Sequence, residues 1–133
     1  MNGKKILIVD DDHHLVLGLT ARLKANGYEV VCATDAISAI AVARREAPDL
    51  VVLDIGLPAG DGFLVLERMR DLPDLVATPV IVLSARDPTG NKKRALDAGA
   101  LAFFQKPPDN HEFLAAVRQA MGETNALSAF VKT

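Results

Sequence analysis

The chain has 133 residues, of which 50% are hydrophobic and 24% are charged, with a formal net charge of −2. This length suits a single globular domain, and this composition argues against a disordered chain. The weakly acidic balance disfavours sequence-independent binding to DNA or RNA, and no apolar run approaches the roughly 18 residues that span a bilayer.

Apolar runs alternate with segments of helical spacing along the whole chain. The short runs predict five strands, at residues 5–10, 28–33, 49–54, 78–85 and 100–105. The segments that follow them predict five helices, at residues 12–27, 34–48, 61–72, 89–99 and 108–122. Asp12 is placed to cap the first helix, and Asp109 and Glu112 have the spacing of a capping box in the last.

Strands that are joined by helices run parallel, and right-handed crossovers then cover both faces of their sheet. Runs such as "VVL" and "VIVL" are apolar without alternation, as expected for strands buried on both faces. The pattern therefore predicts a three-layer, doubly wound α/β domain with a ligand site at the carboxyl ends of the strands. We expect residues 1–122 to form this domain and residues 123–133 to be a tail or linker.

Two features of the chain indicate a reducing cytoplasm. The N-terminal residues pass directly into a strand, which predicts no signal peptide. The single cysteine, Cys32, excludes an internal disulfide, and its neighbours "YEVVCA" predict a buried strand position with no reactive role.

Polar side chains lie at the carboxyl ends of four of the five predicted strands. They are Asp10, Asp11, Asp12, Asp54, Ser84 and Lys106. Because the carboxyl ends of parallel strands meet at one edge of a sheet, these groups are expected to share one pocket. Neighbouring carboxylates repel one another unless a cation lies between them, and hard oxygen ligands suit Mg²⁺. A metal-bound carboxylate beside a lysine and a hydroxyl group favours phosphoryl transfer, with Asp54 as a nucleophile.

Simpler interpretations exist for each of these residues taken alone. Aspartates before a helix are often only caps, and Asp12 fits that role. Ser84 alone is an ordinary strand-end serine, and Lys106 alone is a surface lysine before a proline turn. Residues 92–94, Lys-Lys-Arg, fit a solvated helix face or a docking patch, and Phe103 fits the core. The combination of complementary groups at four strand ends favours a functional site.

The sequence resembles the receiver domain of bacterial two-component response regulators over roughly residues 4–121. The motifs that carry the resemblance are "ILIVDDD", "PDLVVLDIGLPAGDG", "PVIVLSA", "ALDAGA" and "FFQKP", in this order. The expected fold is then a flavodoxin-like, three-layer domain whose five parallel strands lie in the order 2-1-3-4-5, with five helices.

The resemblance also implies a role for each site residue. Asp54 would be the phosphoacceptor, and Asp10, Asp11, Asp54 and the backbone carbonyl of Gly56 would bind Mg²⁺. Ser84 and Lys106 would contact the phosphoryl group. Ser84 and Phe103 would form the switch, although Phe103 lacks the hydroxyl of the commoner tyrosine.

The resemblance implies a phosphorylation-activated signalling switch. A histidine kinase or phosphotransfer protein would donate the phosphoryl group. The face formed by the fourth helix, fifth strand and fifth helix would control a downstream target or output domain, or form a homodimer. Such a domain catalyses only its own phosphorylation and dephosphorylation, and binds neither nucleic acid nor membrane.

Two alternatives are open from the residues alone. A small phosphatase with an aspartyl-phosphate intermediate usually has a second acid two residues after its nucleophile, but Gly56 occupies that position. A flavodoxin-like binding protein needs a phosphate loop rich in Ser, Thr or Gly after the first strand. The acidic "DDDHHL" found there would repel a phosphate.

Overall fold

A computed structural model describes residues 3–57, 62–85 and 87–123. The strands are β1 (Lys5–Val9), β2 (Glu29–Ala33), β3 (Leu50–Leu53), β4 (Val80–Ser84) and β5 (Ala102–Gln105). The helices are α1 (His13–Ala25), α2 (Ala36–Glu46), α3 (Gly62–Asp71), α4 (Pro88–Asp97) and α5 (Asn110–Ala120). The predicted elements are all present, and their ends agree within two residues.

The five strands form one parallel sheet in the order β2-β1-β3-β4-β5. This order confirms the predicted doubly wound fold. β1 lies inside the sheet, with β2 on one side of it and β3, β4 and β5 on the other. The carboxyl ends of β1 and β3 therefore flank the point at which the strand order reverses.

Both faces of the sheet are buried, because successive side chains of a strand point to opposite faces. Leu7 and Val9 of β1 belong to a core that includes residues of α2, α3 and α4. Ile6 and Ile8 belong to a second core that includes residues of α1 and α5. None of the helices in the described ranges is long and apolar enough to span a membrane.

Four of the helices begin at an aspartate whose carboxylate accepts a backbone N–H of the first turn. These aspartates are Asp12, Asp35, Asp87 and Asp109. The Asp12 carboxylate accepts the Leu15 N–H at 3.1 Å, and the Asp109 carboxylate accepts the Glu112 N–H at 2.9 Å. Both caps were predicted from the sequence, and each satisfies an N–H group that the helix itself leaves without a partner.

The prediction that Cys32 is buried is wrong, because the residue is exposed. It lies on β2, which pairs only with β1 and is therefore an edge strand. The β-branched pattern around Cys32 identifies a strand correctly, but it does not reveal that the strand lies at the edge of the sheet.

The face of α2 that meets the sheet also differs from the apolar pattern of the sequence. Ile37 is 81% exposed, and the residues that pack against the sheet are Ala36, Ala39 and Ala43. Small side chains allow α2 to lie close to the strands. Ile40 is partly buried and packs against the same core, whereas Ile37 points into solvent.

The predicted tail lies outside the described residues, apart from Glu123. The division into a domain at residues 1–122 and a tail at residues 123–133 therefore stays a prediction. The end of α5 is nevertheless tied to the sheet, because the Lys4 ammonium donates to the carbonyl of Met121 at 2.7 Å.

Candidate functional site

The backbone of the sheet fixes the positions of Asp10, Asp54 and Lys106, each of which directly follows a strand. The N–H group of each still donates to a neighbouring strand, so the sheet hydrogen bonding continues one residue beyond the strand. These bonds are Asp10 to Ala33 (3.1 Å), Asp54 to Val9 (2.9 Å) and Lys106 to Ser84 (2.8 Å). The three side chains therefore start from well-ordered positions at one edge of the sheet.

Three carboxylates form a cluster at this edge. One oxygen from each of Asp10, Asp11 and Asp54 lies within 4.8 Å of the others. Asp10 and Asp54 are buried, with 3% and 7% exposure, whereas Asp11 is exposed. Three acids at such distances repel one another strongly unless a cation compensates their charge.

The ammonium of Lys106 supplies part of that compensation. Its Nζ lies 2.9 Å from Oδ2 of Asp10 and 3.3 Å from Oδ2 of Asp54. The lysine side chain is itself only 14% exposed. Burial alone would lower the pKa of Lys106, but the hydrogen bond to Asp10 and the charges of both carboxylates outweigh it and raise the pKa. Lys106 is therefore a protonated, partly buried cation at neutral pH.

Burial is the largest influence on the pKa of Asp10. It raises the pKa of the Asp10 carboxyl, although the Asp12 N–H and the Lys106 ammonium both favour the ionised form. One lysine thus only partly offsets the cost of placing this carboxylate in a buried site beside other acids. Such a site favours an additional cation.

Two backbone N–H groups orient the buried carboxylates. The Asp12 N–H donates to Oδ1 of Asp10, and the Gly56 N–H donates to Oδ1 of Asp54, both at 2.9 Å. In both residues Oδ1 is therefore held by the backbone and Oδ2 faces Lys106. Gly56 is exposed beside the cluster, and its carbonyl as a metal ligand stays a prediction.

The strand register places Ser84 and Phe103 on the same face of the sheet. Ser84 is fully buried at the end of β4. Phe103 pairs in register with Val82, which lies two residues before Ser84 and therefore points to the same side. Phe103 is half-buried and packs against the core that contains Val82.

Comparison with known proteins identifies the family of this site. The model of the response regulator receiver domain matches residues 6–118. The chain belongs to this family. Receiver domains are modules of two-component systems and are generally phosphorylated on an aspartate; response regulators are mostly signalling switches. This membership favours a switch over the phosphatase and the flavodoxin-like binding protein that the residues alone left open.

Curated relatives of this receiver domain are longer proteins. The chain is 40% identical over 114 residues to response regulator PleD of Caulobacter vibrioides, covering 86% of the chain and 25% of PleD. It is 39% identical over 121 residues to transcriptional regulatory protein KdpE of Mycobacterium tuberculosis, covering 91% of the chain and 52% of KdpE. The chain thus spans about a quarter and about half of these relatives.

Solved receiver structures agree with the fold. A CheY-like receiver domain protein of Methanospirillum hungatei superposes with a TM-score of 0.83 at 30% identity, covering 91% of this chain and 95% of that one. The receiver domain of sensor histidine kinase PA1611 of Pseudomonas aeruginosa gives 0.82 at 28% identity, covering 90% and 98%. The latter structure has a magnesium ion coordinated in its active site cleft.

The close approach of Gly62 to the backbone of Asp54 was not predicted from the sequence. A Cβ atom on Gly62, the first residue of α3, would lie 2.4 Å from the Asp54 carbonyl oxygen and 2.5 Å from the Ile55 Cα. The Gly62 N–H also donates to the Ile55 carbonyl at 3.1 Å. The start of α3 is therefore seated directly on the backbone of Asp54, at a distance that only glycine permits.

The basic run of α4 is only partly the solvated face that the sequence suggests. Lys92 and Lys93 are exposed, and the Lys93 ammonium pairs with Asp97 one turn later at 2.6 Å. The Arg94 guanidinium instead lies 3.7 Å from the ring centroid of Phe63, a buried residue of α3. This cation–π contact joins α4 to the helix that is seated on Asp54.

Proposed function

We propose that this receiver domain is switched by phosphorylation of Asp54 and that a phosphohistidine of a histidine kinase or phosphotransfer protein is the donor. The observation that carries the proposal is the close arrangement of buried Asp54 and Asp10 with the partly buried Lys106, while Asp11 lies at the exposed side. Acetyl phosphate, a small donor, provides a direct test: intact mass spectrometry should show one added phosphoryl group per chain when Mg²⁺ is present.

The donor set of the site fits a magnesium ion. The clustered side-chain ligands of Asp10, Asp11 and Asp54 are all carboxylate oxygens, which are the hard ligands that Mg²⁺ prefers. The Gly56 carbonyl would be a further oxygen ligand. When bound, Mg²⁺ would offset negative charge on the phosphoryl oxygens during transfer. The PA1611 receiver domain, which has magnesium in its cleft, supports this assignment.

The proposed transfer needs a nucleophile and groups that offset charge. A carboxylate oxygen of Asp54 forms a bond to phosphorus while the phosphorus–nitrogen bond of the phosphohistidine breaks. The bonding electron pair stays on the imidazole, and Asp54 becomes an acyl phosphate. The Lys106 ammonium, already 3.3 Å from Asp54, is placed to bind a phosphoryl oxygen. The Ser84 hydroxyl would donate to another after a shift from its buried position.

The two exposed aspartates that follow β1 should respond differently to substitution. Asp11→Ala removes a carboxylate from the cluster and should weaken Mg²⁺ binding by at least about tenfold. Asp12→Ala removes the cap of α1 and should lower the free energy of unfolding with little change in Mg²⁺ affinity. Mg²⁺ titration and urea denaturation of both variants separate the two roles. Equal metal affinities in the two variants would contradict the assignment of Asp11.

The proposed output is the face formed by α4, β5 and α5. If the Ser84 hydroxyl moves toward the phosphoryl group, Phe103 can turn inward on the same face of the sheet, because cores do not tolerate voids. Phosphorylation then shifts the population between two packings of this face. A kinase or phosphotransfer protein, and a downstream target or an output domain, are the partners that we assign to this switch, and the face is also a candidate for homodimer formation.

Beryllofluoride, which mimics a phosphoryl group on aspartate, tests the switch. We expect backbone amide NMR shifts at residues 90–118 as well as in the loops around Asp54. Ser84→Ala should retain the shifts near Asp54 and lose most of those at residues 90–118. Changes confined to the loops in the wild-type domain would identify Phe103 as an ordinary core residue.

A further inference from the structure

An apolar ridge on α2 stands between two surface cavities. Ile37 is 81% exposed, the highest value among the large hydrophobic residues of the described ranges that are exposed. It lines both cavities, together with Ala36 and Ala41. On the α3 side it lines one cavity together with Leu64, which is 43% exposed, so the two residues form a contiguous exposed apolar patch. Contiguous exposed apolar patches often mark interaction surfaces.

The two cavities differ in charge. The cavity on the β1 side is lined by Asp11 and Asp35, whereas the cavity on the α3 side is lined by Arg44 and Arg68. The Arg44 guanidinium already pairs with Asp74 at 3.1 Å. Arg68 is therefore the better placed of the two to form an ion pair with a partner. The order across the surface is therefore acidic cavity, apolar ridge, basic cavity.

This order is self-complementary. A two-fold axis through the Ile37 ridge places the acidic cavity of one copy opposite the basic cavity of the other. The same axis brings Ile37 of one copy against Ile37 of the other, with Ala36 and Ala41 beside them in both cavities. Isologous interfaces have this property, because every contact between two residues occurs twice.

We propose that a second copy of this chain docks on the α2–α3 surface, giving a symmetric dimer centred on Ile37. This dimer is distinct from one through α4, β5 and α5, and it goes beyond the proposed function without resting on it. The Ile37 ridge and the two charged cavities form a small interface, so the association is weak and depends on protein concentration. Because charge complementarity contributes to it, added salt weakens it.

Sedimentation velocity provides the first test, from about 10 µM to about 1 mM, where weak association is measurable. The average mass of the wild-type chain should rise toward that of two copies. Ile37→Glu should remain monomeric throughout; this site is in the first turn of α2, where a carboxylate favours the helix, so the fold should persist. Leu17→Glu is the matched control: Leu17 is an apolar α1 residue with 69% exposure outside both cavities, and its replacement should not change the association. Arg68→Glu should weaken it at least about fivefold by placing acids opposite acids.

Cross-linking tests the symmetry itself. A residue at a two-fold axis lies opposite its own copy, and a disulfide forms only when the two Cα atoms approach within about 7 Å. In a Cys32→Ser background, Ile37→Cys should therefore give a disulfide-linked dimer under mild oxidation, and Leu17→Cys should not. A wild-type chain that stays monomeric at the highest concentration, association that survives Ile37→Glu, or equal cross-linking at both positions would each overturn the proposal. No phosphoryl donor is used, so these results are independent of whether Asp54 is the phosphoacceptor.

Discussion

Replacing Asp54 with asparagine should abolish the uptake of phosphate from acetyl phosphate. The carboxamide keeps the shape of the side chain but lacks the carboxylate oxygen that must attack phosphorus and hold the acyl phosphate. The loss of a nucleophile is among the largest effects that a single substitution has on a reaction, and we expect labelling to fall by more than about a hundredfold. Intact mass spectrometry with and without Mg²⁺ measures it, and chelation of the metal from the wild-type domain should give a comparable loss.

Asp12→Asn is the matched control for this experiment. Asp12 belongs to the same acidic run, but its carboxylate accepts the Leu15 N–H as the α1 cap and is not part of the clustered acids. Asparagine is also a good cap, so this variant should fold and accept phosphate as the wild type does. Fragmentation of the labelled chains locates the phosphate. Phosphate found on another residue of the Asp54→Asn variant, at the level of the wild type, would show that Asp54 is not the acceptor.

The sequence was sufficient to place the acids and the lysine at one edge of the sheet. Asp10, Asp54 and Lys106 directly follow apolar runs that alternate with helices, and parallel topology alone brings the carboxyl ends of such runs together. The sheet then fixes each residue through a backbone hydrogen bond that does not depend on its side chain. For this reason the location of the site could be predicted before any distance was known.

Contacts between side chains could not be predicted in the same way. The sequence assigns Lys106 a role toward the phosphoryl group, but only the structure shows that its closer partner is Asp10, at 2.9 Å, rather than Asp54. The periodicity of α2 predicts a helix, yet three alanines face the sheet and Ile37 does not. Cys32 is exposed because β2 is an edge strand, and strand order is a property of the whole sheet that local composition does not encode.

Replacing Gly62 with alanine should destabilise the domain and slow phosphorylation together. The new Cβ would lie 2.4 Å from the Asp54 carbonyl oxygen and 2.5 Å from the Ile55 Cα. Both are backbone atoms, and Ile55 is fully buried, so neither can move aside as the end of a flexible side chain could. Either α3 lifts from the sheet or the Asp54 backbone shifts. Overpacking of this kind costs about 1–3 kcal/mol, and we expect urea denaturation to show a loss near the upper end of that range.

Gly18→Ala separates steric overlap from the general effect of adding a methyl group to a glycine. Gly18 lies in the middle of α1, and a Cβ there would meet no atom within 4 Å. Alanine should therefore stabilise α1 by about 0.5–1 kcal/mol, the opposite sign to Gly62→Ala. Phosphorylation by acetyl phosphate at a temperature where both variants are folded isolates the effect on the site. A Gly62→Ala domain that is as stable and as readily labelled as Gly18→Ala would mean that α3 does not hold the Asp54 backbone in place. A loss of labelling that exceeds the loss of folded protein would mean that it does, since the added Cβ presses on the backbone of Asp54, the proposed acceptor.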